Sequence, residues 1–410
     1  MMNRSGRFLL RASLSLYGAS ILLVLLGVNT VQSATYYVAT TGSDSNPGTS
    51  DRPWRNPQKC AASPIKAGDT CIVRNGTYTD VSGLGVTVYI SGNSAAGTAS
   101  LPITIKSENL LGAVLIVPSI KNGLNAGVYV SQPYYIIQGF DITGGTKNYT
   151  SVAYTGILFR STATGGIARL NAIHHIGRPV CSNSIYGFTG IVVRQTSNVL
   201  IERNRIYSIG RQRNGENGCS TTLYQNDHGI YIQGATNLTL RRNVFYDTNR
   251  GFPIQLYNGT VNGLKIYHNT LSGKSPTGKP LGQIMLGSTI SGAAIQNNIS
   301  NDAPHGMIAA YNLSASSVTV SYNQSNTLMR GTTSVPGVSF SNNLENSTNL
   351  NFISKSTNDF RLSSTSGAIN RGTSIGVPVV PDGRPDNGGY EYSTQSNISS
   401  PLTPTGVRVQ

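Results

Sequence analysis

The feature that most constrains the fold of this chain is a short repeat that reads as one turn of a coil. Two segments align from a glycine onward: Gly190 opens GIVVRQTSNVLIERNRIYSIG, and Gly229 opens GIYIQGATNLTLRRNVFYDTN. An asparagine follows each glycine by 14 residues, at Asn204 and Asn243. Each copy holds a β-branched run, a turn, a second run that ends at the asparagine, and another turn. This pattern is typical of stacked β-coils.

Further copies of the coil extend this array in both directions. They start at Gly127, Gly156, Gly251, Gly282 and Gly306. The last four have matching asparagines at Asn171, Asn269, Asn298 and Asn323, and the Gly127 copy has none. A coil of about 20 residues cannot bury its apolar side alone, whereas stacked coils pair strands roughly 4.8 Å apart and share one core. We therefore predict an all-β solenoid of parallel strands, with the asparagines hydrogen-bonded in a ladder at one corner.

Alternation along the first strand of each coil predicts which side chains face the core. The predicted inward positions are Ile191, Val193, Ile230, Ile232, Phe252 and Ile254. The predicted outward positions are Arg160, Arg194, Tyr231, Gln233, Gln255 and Tyr257. Composition agrees with strands and turns, since the chain holds 46 glycines and only 11% charged residues, with no long amphipathic helical period.

Both ends of the chain resemble a known superfamily. Tyr36–Trp54 (YYVATTGSDSNPGTSDRPW), with AGDT at 67–70 and NGTY at 75–78, resembles the N-terminal cap of bacterial right-handed parallel β-helix proteins, the pectate-lyase-like superfamily. Segments 359–373 and 381–392 resemble its closing motif, except that two glycines replace an expected Ile-Gly-Ala stretch. The resemblance implies a right-handed parallel β-helix. It leaves activity open, because the superfamily holds lyases, hydrolases, epimerases and binding proteins.

The first residues predict export. Arg4, Arg7 and Arg11 precede a short apolar run, Ile21–Gly27, and small or β-branched residues follow at 31–33. This order is typical of a signal peptide, which we place at 1–33, and the apolar run is too short to span a bilayer comfortably. We expect a secreted protein, extracellular or periplasmic, with no membrane association once the signal is removed.

The mature chain is then expected to form one domain. We place the β-helix at 34–392, its N-terminal cap at 34–80, its closing segment at 355–392 and a flexible tail at 393–410. Removing three arginines leaves 31 − 3 = 28 basic against 16 acidic residues, a net charge of about +12. An exported basic protein favours an acidic polysaccharide as partner. No basic run with interleaved aromatics indicates nucleic acid, and we expect a monomer.

Four cysteines in an exported chain predict two disulfides, for which three pairings exist. Cys60 and Cys71 lie close together near the mature start, where a bond would pin the cap. Cys181 and Cys219 fall in two long insertions, Gly177–Thr189 and Gly210–His228. Both insertions lead back into a first strand, so they should overhang the same outward face and be tied together.

The second insertion ends in an Asp-His pair, Asp227 and His228. Stacking on the next coil predicts Asp227 near Asn249 and His228 near Arg250, about one coil apart. For elimination on a uronate, Arg250 would neutralise the carboxylate, with Arg194 or Arg211 in support.

The same hypothesis assigns the proton transfers. His228 would be the base, because its ordinary pKa lies near neutrality, and Tyr231 the acid. Asp227 completes the candidate catalytic set. The substrate-binding candidates are Arg160, Arg194, Arg211, Gln233, Gln255 and Tyr257. The Asp-His pair with a stacked arginine is similar to alginate C5-epimerases of this fold, although their Asp-Pro-His-Asp motif is not reproduced.

Three readings therefore stay open, with a polysaccharide lyase preferred. A glycoside hydrolase needs two facing carboxylates, and Asp227 with Asp247 is the pair that the stacking brings near. A C5-epimerase or a non-catalytic carbohydrate-binding β-helix would use the same face. No cluster of acids indicates calcium, so no cofactor is expected and calcium dependence stays an open question.

Overall fold

The computed structural model describes residues 32–118, 123–144, 154–183, 185–220, 226–248, 250–273, 282–331, 334–374, 376 and 384–392. The predicted flexible tail at 393–410 lies outside these residues, as does nearly all of the predicted signal peptide at 1–33. Asn249 also lies outside them.

Short strands make up almost all of the regular structure. The first are β1 (Thr35–Val38), β2 (Thr70–Val73), β3 (Gly76–Tyr78), β4 (Val86–Ile90), β5 (Ile103–Ser107), β6 (Ala113–Ile116), β7 (Ala126–Val130), β8 (Tyr135–Gln138) and β9 (Asp141–Thr143). Then come β10 (Thr155–Phe159), β11 (Ile167–Arg169), β12 (Ala172–His174), β13 (Thr189–Ser197), β14 (Leu200–Glu202), β15 (Arg205–Ile209), β16 (His228–Thr236), β17 (Thr239–Arg241) and β18 (Val244–Thr248).

The later strands complete the array. They are β19 (Ile254–Asn262), β20 (Lys265–Tyr267), β21 (Thr270–Ser272), β22 (Ile284–Gln296), β23 (Ile299–Asn301), β24 (Ile308–Ala310), β25 (Ser314–Ser321), β26 (Gln324–Ser325), β27 (Val338–Ser341), β28 (Phe352–Ser354) and β29 (Asp359–Leu362). Short 3-10 helices occur at Pro57–Ala61, Glu216–Gly218 and Lys355–Thr357. Within the described ranges, no helix has the length and apolar character needed to cross a membrane.

Each central coil contributes three strands, for example β16, β17 and β18. The first and second strands of successive coils join one 18-stranded sheet, and the third strands join a 9-stranded sheet. Pairing between coils is parallel, as where Ile191 lies opposite Ile230 and Ile230 opposite Ile254. Only β28 and β29 pair antiparallel among the described strands. The predicted right-handed parallel β-helix is confirmed.

The core runs along the axis of the coil stack. Ile191, Val193, Ile230 and Ile232 are fully buried, as alternation predicts. Phe252 is buried too, at 2% exposure, but it lies just before β19 and outside this row. The register aligns Ile230 and Ile232 with Ile254 and Leu256, so Ile254 takes the place expected for Phe252, and Leu256 takes the place expected for Ile254.

The asparagine ladder is confirmed and extends one coil further than predicted. Side-chain amides bond from coil to coil at 2.9–3.0 Å through Asn171, Asn204, Asn243, Asn269, Asn298, Asn323 and Asn343. Asn243 is typical of the set. Its Nδ2 donates to the Ile201 carbonyl at 2.9 Å and to Asn269 Oδ1 at 3.0 Å. Its Oδ1 accepts the backbone N–H and the Nδ2 of Asn204, each at 3.0 Å. A buried amide with all four bonds made holds the corner of each coil at little desolvation cost.

The N-terminal cap is pinned as the sequence predicts. Cys60 is bonded to Cys71, which joins the first 3-10 helix to β2. The ring of Tyr36 stacks on the buried Trp54 with centroids 4.9 Å apart. These contacts cover the apolar end of the first coil.

The closing segment lies against the side of the coil stack. Gly388 donates its N–H to the Asn297 carbonyl at 2.8 Å, and Gly389 donates to Thr270 Oγ1 at 2.9 Å. Gly388 has a φ of 95°, and a Cβ there would come within 2.7 Å of Ile299 Cδ1. This close approach explains why glycines replace the larger residues of the expected motif.

Candidate functional site

Two long loops lead into β13 and β16. We call the described residues of 177–189 and 210–228 the rim. Cys181 and Cys219 are bonded across the rim, which confirms the predicted pairing. Arg178 Nη2 lies 2.6 Å from Glu216 Oε1, and Asn226 Nδ2 donates to the Ile185 carbonyl at 2.7 Å. The two loops therefore form one cross-linked unit.

Asp227 is the polar centre of the rim. Its Oδ1 accepts the Phe188 N–H and Arg211 Nη2, each at 2.9 Å. Its Oδ2 accepts the Arg211 backbone N–H at 2.9 Å and Nε at 3.0 Å. Arg211 also donates to the carbonyls of Ser182 and Tyr186. Both charged side chains are only 1% exposed. These contacts favour a structural role for Asp227 and Arg211, which turn toward each other rather than toward a ligand.

His228 faces outward, although strict alternation with Ile230 would turn it inward. Gly229 takes the inward place, since a Cβ there would lie 3.0 Å from Phe245 Cδ1 in the core. The His228 ring stacks between Tyr231 and Phe252, with centroid distances of 5.5 and 5.8 Å. His228 and Tyr231 therefore meet on the outer face beneath the rim.

The environment of His228 keeps its imidazole neutral. The residue is 5% exposed, and burial, helped by the charge of Arg211, lowers its pKa to about 3. The N–H of Phe252 points at Nδ1 over 3.4 Å. The ring thus acts as a packed, weakly accepting group at neutral pH, with far less basicity than an ordinary histidine.

Tyr231 lies half-buried in the middle of β16, opposite Val192 on one side and Gln255 on the other. Burial raises the pKa of its phenol, and the charge of Arg194 opposes that rise in part. The phenol is therefore protonated at neutral pH, which is the state that the predicted acid requires.

Arg250 does not lie level with His228. Its carbonyl accepts the Asp227 N–H at 3.2 Å, and its side chain is only 1% exposed. His228 instead lies level with Phe252. The residue opposite Gly229 on the next coil is Pro253, whereas the sequence alignment had placed Gly251 there. The predicted neighbours of His228 and Asp227 on the next coil, Arg250 and Asn249, are thus wrong, because the predicted register is off by two residues. The arginine is packed beneath the rim.

The outward-facing residues of the first strands form one face of the coil stack, which we call the strip, and four of them (Val192, Gln255, Met285 and Ala309) are buried. Register places its members in two rows: Tyr89, Tyr129, Leu158, Val192, Tyr231, Gln255, Met285 and Ala309, and beside them Ser91, Ser131, Arg160, Arg194, Gln233, Tyr257, Gly287 and Tyr311. None of these residues is acidic. The strip contains five of the six predicted substrate-binding residues, and Arg211 is the exception.

Arg160 and Arg194 lie side by side on adjacent coils of the strip. Across the described ranges, neither guanidinium reaches a carboxylate within salt-bridge distance. Burial, followed by the neighbouring charge of Arg160, lowers the pKa of Arg194. Arg194 Nε is buried and makes no hydrogen bond to a described residue.

Two coils beyond Arg194, and within the described ranges, Gln255 has a buried acceptor without a partner, where Arg194 has a buried donor without one. It is 7% exposed, and its Oε1 is a buried acceptor without a hydrogen-bond donor among the described residues. A buried polar atom without a hydrogen bond destabilises the fold unless a ligand or a water molecule supplies that bond.

Sequence reasoning missed the ends of the strip. Tyr89 and Tyr129 meet edge to face at 5.1 Å, and Tyr311 lies 6.1 Å from Tyr257. Alternation in the GVYVS segment after Gly127 was the signal that could have placed Tyr129 outward. Tyr89 had no aligned copy to show it.

The two carboxylates considered for hydrolysis have separate partners. Asp247 accepts Ser208 Oγ at 2.8 Å on the third strands, whereas Asp227 is bound by Arg211. Within the described part of the chain, no group of three or more His, Cys, Asp or Glu side chains gathers as metal ligands would.

Comparison with known proteins agrees on the fold. The family described as a right-handed beta helix region matches residues 66–279, about half of the chain. No curated protein matches the chain at a significant level.

The chain is also similar to several solved structures. A rhamnogalacturonan lyase is 16% identical with a TM-score of 0.50, over 82% of this chain and 96% of that protein. A pectate lyase is 18% identical with a TM-score of 0.43, over 89% and 98%. An alginate lyase from a Paenibacillus species is 16% identical with a TM-score of 0.38, over 77% and 99%. At 16% identity, the match to the rhamnogalacturonan lyase shows a shared fold alone.

Proposed function

Because this chain belongs to the right-handed β-helix family, we propose that its strip binds an acidic polysaccharide and that the protein is a secreted lyase cleaving uronate-containing chains by β-elimination. The site would be the Arg160–Arg194 region of the strip, bounded on one side by the rim.

One observation carries this proposal: two neighbouring guanidiniums without carboxylate partners on an acid-free surface. An arginine near the surface commonly pairs with a nearby acid, and here every outward neighbour apart from the other arginine is neutral. A uronate carboxylate would complete the hydrogen bonding of Arg194 Nε and satisfy both charges. The tyrosines of the strip offer rings on which sugars can stack.

The elimination assigns three tasks to the strip. Arg194, supported by Arg160, would neutralise the carboxylate and so acidify the adjacent C–H. Tyr231, protonated and next to Arg194, would donate its proton to the leaving glycosidic oxygen as the C–O bond breaks. His228 is the titratable side chain in ring contact with Tyr231, and it stays the proposed base. Asp227, Arg211 and Arg250 would hold the rim over the substrate.

A second candidate function is binding without cleavage, and the state of His228 favours it. A base that is 5% exposed with a pKa of about 3 removes a proton poorly. A non-catalytic protein would use the same arginines and tyrosines. A hydrolase is less well supported, because no carboxylate lies on the strip.

The deciding experiment is a lyase screen on pectate, alginate, hyaluronan and heparinoids, with and without calcium. Ultraviolet absorbance of the unsaturated product reports elimination, and calorimetry reports binding. We expect Arg194→Gln to weaken binding about tenfold or more. Arg52→Gln, which removes an exposed arginine of the cap, should change nothing.

Two variants separate the candidate functions. If the protein is a lyase, Tyr231→Phe and His228→Ala should each lower turnover by about 100- to 10,000-fold. Binding that depends on Arg194 without any unsaturated product would support the binding protein. An unchanged affinity in Arg194→Gln would contradict both.

Export is part of the same proposal. Two disulfides suit an oxidising compartment, and the predicted signal at 1–33 would deliver the chain there. N-terminal sequencing of the exported protein should find a start near Ala34, and retention inside the cell would contradict the prediction.

A further inference from the structure

We infer that the chain has a second anion-binding site, separate from the strip, which takes a sulfate or carboxylate group of an acidic polysaccharide. It lies where β11, β14 and β17 end and the chain turns toward the ladder asparagines. We call this site the corner, and it consists of Arg169, Glu202, Arg203, Arg241 and Arg242.

The stacking of coils gathers the arginines of the corner. The last residues of three second strands lie in one row, as Arg169, Glu202 and Arg241. The residues that follow, Arg203 and Arg242, occupy the turn before the ladder, and the Arg203 N–H donates to the Arg241 carbonyl at 3.1 Å. Four guanidinium groups are therefore carried on three adjacent coils, which are spaced roughly 4.8 Å apart.

The two carboxylates near the corner already have partners. Arg241 Nη2 lies 2.6 Å from Glu202 Oε2. Arg242 Nη2 lies 2.7 Å from Glu391 Oε1 of the closing segment, and both side chains of that pair are less than one tenth exposed. In the described part of the chain, neither of the other two arginines has a carboxylate within salt-bridge distance. Four cations against two anions leave the corner with two positive charges in excess.

Arg203 is the side chain that an anion would complete. Its guanidinium makes no hydrogen bond to a described residue, and its Nε is buried in that state. The side chain as a whole is partly exposed, so its terminal amino groups can reach a ligand. Burial lowers the pKa of Arg203; Glu202 opposes that shift, and the three neighbouring arginines add to it. An oxyanion bound to Arg203 would accept its donors and offset the repulsion among the arginines.

The surroundings of the corner favour a sugar polymer over a nucleic acid. Proteins that bind single-stranded nucleic acids combine positive charge with exposed aromatic rings on which bases stack. The ring that continues the row beyond Arg241 belongs to Tyr267, which is 6% exposed. A ring this buried offers no stacking platform. The sulfate and carboxylate groups of a polysaccharide need only the guanidinium donors, which match their geometry.

The test is calorimetry with a sulfated heparin tetrasaccharide, with tetragalacturonate and oligothymidylate as parallel probes. The Tyr231→Phe protein is used throughout to slow cleavage, and Arg203→Gln or Arg194→Gln is added to it. We expect Arg203→Gln to weaken one binding event about tenfold or more, and Arg194→Gln to leave that event unchanged. Arg52→Gln, in the exposed cap, should alter neither event. The more tightly bound of the two oligosaccharides identifies the group that the corner prefers.

Thermal melting without ligand separates a binding role from a structural one. Arg203→Gln should melt at the wild-type temperature or above it, because the change removes a repelled cation and breaks no side-chain hydrogen bond to a described residue. Arg242→Gln is the matched comparison from the same turn on the next coil. It should melt at a lower temperature, because it leaves Glu391 buried without its cation.

The outcomes distinguish this inference from the proposed function. If Arg203→Gln binds both oligosaccharides as the parent does, or melts below it, the inference is wrong, while Arg194→Gln still reports on the strip. If oligothymidylate binds tighter than both oligosaccharides and depends on Arg203, the ligand class is wrong. If Arg203→Gln weakens binding and Arg194→Gln does not, the corner stands and the proposed function fails.

Discussion

Replacing Asp227 with asparagine tests whether this residue supports the rim or takes part in catalysis. The substitution keeps the size and shape of the side chain and removes its charge. Sequence alone made Asp227 a catalytic candidate, whereas the structure buries it against Arg211. The two roles predict opposite results for stability and turnover.

The magnitude follows from the contacts. Asp227 accepts four N–H groups, three of them from Arg211. Asparagine offers one acceptor oxygen, and its amide N–H₂ would face donors. The Arg211 cation would stay 1% exposed without its counter-charge. Removing one partner of a buried ion pair costs about 3–5 kcal/mol, so we expect a loss of that order in the free energy of unfolding.

The assay is urea unfolding, with turnover or binding measured where the variant is folded. Asp359→Asn is the matched control, since Asp359 pairs with Arg361 at 18% and 30% exposure. That pair should be worth about 1 kcal/mol or less. The double variant Asp227→Asn/Arg211→Met should recover much of the stability, because the stranded charge is gone. A folded Asp227→Asn protein with wild-type stability and abolished turnover would refute the structural assignment.

Three further predictions follow from the fold. Asn243→Leu should cost about 1–3 kcal/mol, because the backbone N–H of Asn204 loses its acceptor; an unchanged melting temperature would contradict the ladder. His228, with a folded pKa of about 3 against an ordinary 6.5, should make the protein lose stability as the pH falls from about 6.5 toward 3. In His228→Phe, melting measured against pH should show a shallower loss, and identical slopes would disprove burial of the neutral ring. The Cys181–Cys219 bond, which closes 38 residues, should contribute about 4 kcal/mol in the chain-entropy estimate, and reduction that leaves the rim resistant to proteolysis would argue against its role.

The coil architecture was readable from sequence because a solenoid is built from neighbour contacts. Each coil touches the next, so a local pattern that recurs also states what packs against it. The asparagines after Gly190 and Gly229 show this directly, since each found its bond in the adjacent coil. The Cys181–Cys219 pair was predictable on the same ground, because stacked coils bring their insertions together.

The predicted outward and inward faces of the strands stayed correct despite an error in alignment. Counting from Gly251 misplaced the register by two residues, yet Gln255 and Tyr257 still face outward. Side chains alternate with a period of two, so a slip of two changes every cross-strand neighbour and leaves each face intact. The strip was therefore predictable, while the neighbours of His228 and Arg250 were not.

What only the tertiary structure decided was the accessibility of the charged groups. Sequence marks Asp227, Arg211 and Arg250 as chemistry-bearing residues beside a long insertion, and it cannot say whether a loop folds over them. The rim buries all three, and the turn into β16 rotates His228 outward while packing it between two rings. Burial depends on contacts between segments far apart in the chain, and no local period encodes those contacts. The same holds for Arg160 and Arg194. Neither has an acid nearby among the described residues, and this is a property of the assembled surface that the sequence alone does not show.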